Sequence, residues 1–65
     1  MTLKTVNNEN FKLSLKLDIN YEIKYIEILV ILDNTKNNKR QMKIFHGNEF
    51  EKALNQYKLW EQFIF

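Results

Sequence analysis

His46 is the only histidine, Ser14 the only serine, and cysteine is absent from the 65 residues. A general base needs a poised group held beside a second polar partner. Ser14 lies within an alternating run of residues, and no base stands at a recognisable spacing from it. The lack of cysteine removes disulfides and thiolate metal sites together, leaving one histidine and the carboxylates as possible ligands. Among the acids, Glu22 and Glu27 flank one apolar segment, and Asp18 and Asp33 sit where turns are expected. A hydrolytic carboxylate pair must converge in a cleft, which a sheet this small is not expected to enclose. The single glycine, Gly47, cannot build a phosphate-binding loop. The expectation is therefore no enzyme, no catalytic residue, no metal, no cofactor and no small-molecule substrate.

Two groups of residues suit binding better than catalysis. Lys36, Lys39, Arg40 and Lys43 put four positive charges between Asn34 and Lys43 with no acid among them. Such a cluster could grip phosphates or an acidic protein, and Lys12 and Lys16 could extend it. No aromatic residue is interleaved to stack bases, and a solvated, edge-protecting loop explains the same charges. The second group is the aromatic-rich C-terminus from Tyr57 to Phe65. At helical spacing Tyr57 and Trp60 read as core, whereas Leu59, Phe63 and Phe65 read as interface.

The elements that must position these groups follow from periodicity. Phe11, Leu13, Leu15, Leu17 and Ile19 alternate with polar residues, as in a strand with one buried face. Asn7 to Asn10 precedes it as a turn, making residues 2–6 a first strand. Apolar residues then change from odd to even numbers, at Ile26, Ile28, Val30 and Leu32. A change of parity marks a turn or a bulge. A turn near Asp18 to Glu22 with a third strand over 23–33 is expected, one long bulged strand over 11–25 being the alternative. The polar stretch 33–39 reads as a loop and 40–46 as a fourth strand, with Met42 and Ile44 facing one way. Asn48 then reads as the N-cap of a helix over 48–63, with Glu51 completing a capping box. Phe50, Ala53, Leu54, Tyr57 and Ile64 form its apolar stripe, with Trp60 on the flank. The predicted fold is α+β: a four-stranded, mostly antiparallel β-meander followed by one C-terminal amphipathic helix packed on one sheet face.

One helix covers only one face. Tyr25, Leu29 and Ile31 form a second apolar set on the third strand, and such a strand needs cover on both sides. A chain of 65 residues buries only about 60% of its unfolded surface, so another subunit is the expected aid to stability. The partner or dimer interface is accordingly placed at Tyr25, Leu29, Ile31, Leu59, Phe63 and Phe65. The function expected is a non-enzymatic protein-binding module, homodimeric, that occupies a surface on a larger protein. The alternative is a small nucleic-acid binder using the basic 36–43 loop.

The longest uninterrupted apolar run, Ile28 to Leu32, is far shorter than a membrane span, and no secretory signal is read at the N-terminus. A cytoplasmic location without membrane contact is the expectation. Nine Asn, nine Lys and seven Ile against one Arg, one Ala and no Pro point to an AT-rich genome and a bacterial host. In size and residue usage alone, the chain resembles the small inhibitors and adaptors encoded by phages and plasmids, anti-CRISPR proteins among them.

Overall fold

The change of parity between Ile19 and Ile26 is a hairpin. The computed structural model describes residues 1–22 and 24–65. Its strands are β1 (Thr2–Asn7), β2 (Phe11–Asn20), β3 (Tyr25–Asn34) and β4 (Lys39–His46). A short 3-10 turn (Gly47–Glu49) leads into helix α1 (Phe50–Ile64). The sheet order is β1-β2-β3-β4 and every pairing is antiparallel, which is the meander the alternation predicts.

Leu13 pairs with Leu32, Leu15 with Val30 and Leu17 with Ile28. Odd residues of β2 thus face even residues of β3, and the register runs unbroken to Asn20 opposite Tyr25. Residues 11–25 are therefore two strands, and the turn follows Asn20 instead of occupying 18–22. The Asn20 side chain accepts from the Glu22 amide at 3.1 Å. Lys24 takes a positive φ of 52°, the backbone reversal that a glycine would otherwise provide. The expected start of the third strand at residue 23 lies outside the described residues.

The next loop is shorter than its polar composition suggests, because β4 begins at Lys39. Asn34 Oδ1 accepts from the Lys36 amide and Asn37 Oδ1 from the Lys39 amide, and Asn38 has φ 57°. These side-chain-to-backbone bonds are how asparagine builds turns.

The helix start differs from its sequence reading. The Glu49 carboxylate accepts from the His46 amide at 3.1 Å and is met by Lys52 at 3.3 Å. The cap is thus His46 with Glu49, two residues before the expected Asn48 with Glu51. The reason is the intervening 3-10 turn, which begins the winding at Gly47. The hydrogen bond from the His46 amide, then Lys52, holds the Glu49 carboxyl below the usual carboxylate range.

Leu13, Leu15, Ile28, Val30 and Leu32 form the buried sheet face, closed by Ala53, Tyr57 and Ile64 of α1. Leu54 and Trp60 pack at its margin. Phe50, which spacing assigns to the stripe, remains exposed. Burial pushes the Tyr57 hydroxyl above its ordinary value, and the Lys4 ammonium lies 5.5 Å from the centre of that ring.

Two lengths decide what stays uncovered. Four strands at about 4.8 Å spacing are about 19 Å wide, nearly twice the roughly 10 Å of a helix. Ten-residue strands extend about 33 Å, whereas a fifteen-residue helix extends about 22 Å. The β2–β3 hairpin therefore overhangs the helix, and its last helix-side pair, Ile19 and Ile26, is exposed.

Candidate docking surfaces

The register across three strand pairs arranges the helix-free face in rows. One row is Lys12, Asp33 and Arg40; the next is Thr5, Ser14, Ile31 and Met42. Then come Lys16, Leu29 and Ile44, followed by Asp18, Glu27 and His46, with Asn20 and Tyr25 last. Leu29, Ile31, Met42 and Ile44 thus form one apolar block on neighbouring strands. Ile31 is already buried within it and Leu29 partly so, whereas Met42 and Ile44 are 49% and 54% exposed.

Met42 and Ile44 carry more of this surface than Ile31 does, although sequence reasoning placed neither at an interface. The signal was their shared parity in β4, where the opposite parity is Lys39, Gln41, Lys43 and Phe45. Only Phe45 of these joins the core margin. The apolar side of β4 consequently points away from the helix.

The rest of the anticipated interface lies elsewhere. Leu59 and Phe63, 60% and 71% exposed, stand on the flank of α1. With Trp60 and Gln62 they form one wall of a groove whose floor includes Leu32 and Phe11. Asn34, Lys39 and Gln41 make the other wall. The Phe63 ring meets Phe11 edge-on, with centroids 6.0 Å apart. Phe65 is exposed, and its amide closes the last helical turn on the Glu61 carbonyl. The anticipated patch is therefore divided: Tyr25, Leu29 and Ile31 on the open face, and Leu59 and Phe63 over the groove.

The fold also disperses the basic cluster. Arg40 is held by Asp33, Nε to Oδ1 at 2.6 Å, a carboxylate across the hairpin loop and directly opposite in register. Lys36 sits in the turn, while Lys39 and Lys43 lie on the helix side of β4, the face opposite Arg40.

His46 Nδ1 lies 2.6 Å from the Tyr25 hydroxyl, with the rings edge to face. This contact ties the beginning of β3 to the end of β4. Asp18 and Glu27, unrelated by sequence spacing, are direct cross-strand neighbours, and Glu27 is also paired with His46. The row lies on an open sheet face. Among the described residues no three acids or histidines converge as a metal site, and no helix is long and apolar enough to cross a membrane.

A clasp that sequence reading missed sets the groove geometry. The Asn8 side chain donates to the Ile64 carbonyl at 2.7 Å and accepts from the Asn10 and Phe11 amides, both at 2.9 Å. It joins the β1–β2 turn to the end of α1, and so holds Phe63 over Phe11.

The fold and these surfaces define a small α+β meander with one helix and two exposed apolar faces. The chain matches no protein-family model, no curated protein and no solved structure.

Proposed function

We propose that the chain is a non-catalytic protein-binding module that acts by occupying a surface on a larger protein. The observation that carries this reading is the position of its exposed apolar side chains. Met42 and Ile44 lie on one side of the edge strand β4, and Leu59 and Phe63 stand over the groove on its other side. Burying each such side chain contributes about 1.5–3 kcal/mol, a large share of a small domain's stability. Exposed apolar patches rimmed by polar residues are characteristic of interaction sites, and here two such patches flank one strand. The chain's resemblance in size and residue usage to inhibitors and adaptors encoded by phages and plasmids suggests this form for it.

Comparative affinity capture tests the reading. Proteins retained by the wild-type chain should be lost with Ile44→Glu or with Leu59→Glu, and kept with Lys58→Ala on the exposed outer side of α1. A partner set indifferent to both apolar substitutions would refute it.

Self-association is a second reading, favoured by charge on the open face. Lys12 lies at one end of that face beside the paired Asp33 and Arg40, Lys16 in its middle row, and Asp18 and Glu27 towards the other end. Two copies stacked face to face and inverted place unlike ends together, as an isologous dimer requires. Sedimentation equilibrium at about 100 µM, a loading that would half-populate a dimer of similar Kd, should give a dimer. A monomer throughout would rule the dimer out.

A further inference from the structure

The strand β4 is an unfinished edge. Its inner side pairs with β3, and among the described residues its outer side has no neighbouring strand. The opposite edge, β1, is interrupted by a bulge between Thr2 and Lys4, whereas all eight residues of β4 pair in unbroken register. Bulges protect sheet edges; a regular edge is a template for another strand. A strand laid along β4 would place alternate side chains beside Met42 and Ile44 on one face and above the groove on the other.

Charge decides which strand fits. Arg40 is paired with Asp33, but Lys39 and Lys43 take part in no ion pair among the described residues. No acidic residue lines the groove. Two β4 strands side by side would bring together four unpaired cations, Lys39 and Lys43 from each copy, and like charges across strands are destabilising. The edge β1 offers only Lys4 and its bulge. A second copy is therefore the wrong occupant for this edge.

We infer that β4 is the docking edge for an extended, acidic segment of another protein, added antiparallel to it. This rests on the protein-binding reading and specifies the partner's chemistry. The register places β-branched residues opposite Met42 and Ile44 and carboxylates opposite Lys39 and Lys43. A phenylalanine or leucine opposite Gln41 reaches Leu59 and Phe63. The side-chain amides of Gln41 and Gln62, which make no hydrogen bond among the described residues, are available to the segment's polar groups.

The probe is the fluorescein-labelled peptide Val-Glu-Val-Phe-Glu-Glu, compared by fluorescence polarisation with its lysine twin Val-Lys-Val-Phe-Lys-Lys. A third version is N-methylated on alternate amides in the registers that face β4. The acidic peptide should bind with a Kd of about 10–100 µM, at least about tenfold tighter than the lysine twin. N-methylation should abolish binding, because it removes the ladder donors and leaves the side chains. Ile44→Ser and Leu59→Ser should each weaken binding about tenfold, with Lys58→Ala silent. Equal binding of the two peptides, indifference to N-methylation, or no binding up to about 1 mM would overturn the inference. So would single-stranded DNA displacing the peptide and binding more tightly. If capture of partner proteins still depends on Ile44 while the peptide fails, the binding-module reading stands and strand addition to β4 falls.

Discussion

Asn8 makes three hydrogen bonds with one side chain, and removing them tests how the groove is held. The amide donates to the Ile64 carbonyl in a partly buried setting, while its oxygen receives two exposed backbone amides. A net hydrogen bond is worth about 1 kcal/mol, and less where water can replace the partner. Counting about 1 kcal/mol for the Ile64 bond and about 0.5 for each exposed one, Asn8→Ala should cost about 2 kcal/mol. A domain of 65 residues has roughly 3–10 kcal/mol of stability in total. At about 4–8 °C per kcal/mol, the melting temperature should fall by roughly 8–16 °C. Asn8→Asp separates the two halves of the clasp. It keeps the acceptor for the Asn10 and Phe11 amides but sets an oxygen, and a negative charge, against the carbonyl end of α1. Urea denaturation gives the magnitudes, and hydrogen exchange gives the location. Asn8→Asp should speed exchange of the Phe65 amide and leave the Asn10 and Phe11 amides protected. Asn8→Ala should speed all three. A loss below about 0.5 kcal/mol for Asn8→Ala, within the range of neutral surface changes, would refute the clasp. Unchanged exchange at Phe65 would do the same.

Three other outcomes follow from the same geometry. Leu13 is fully buried, so Leu13→Ala should cost about 2–5 kcal/mol and leave much of the chain unfolded by circular dichroism at ambient temperature. Ile44→Glu, at a half-exposed position on the open face, should hold its melting temperature within about 5 °C, equivalent to about 1 kcal/mol, while losing the dimer signal in sedimentation. The depressed pKa of Glu49 means that the unfolded chain binds its proton more readily. Its contribution is present above the ordinary carboxylate value of 4.5 and lost as pH falls through the lower folded value. Glu49→Gln should flatten that part of the acid limb in melting temperature measured against pH, and an unchanged limb would contradict the Glu49 cap.

Much of the architecture was legible because strand alternation is a local property. Phe11 through Ile19 announces a strand with one buried face and Ile26 through Leu32 a strand apolar on both, and their opposite parities mark a turn or a bulge between them, which the unbroken pairing resolves as a turn. The asparagine clusters mark turns because their side chains bond to nearby backbone. The helical stripe of Ala53, Tyr57 and Ile64 follows from 3.6-residue spacing alone. Each of these depends only on residues within a few positions of one another.

What local pattern could not decide were the relations across strands and the match of lengths between elements. Asp33 neutralises Arg40 because the β3–β4 register places them opposite. Met42 and Ile44 share one parity in sequence, but only pairing with Ile31 and Leu29 assigns that parity to the helix-free face. Asn8 reaches Ile64 because α1 runs back across the sheet to the β1–β2 turn. One amphipathic helix about 10 Å wide cannot roof a sheet about 19 Å across. The sequence therefore determined that apolar surface would be left over, and tertiary packing decided that it would flank β4.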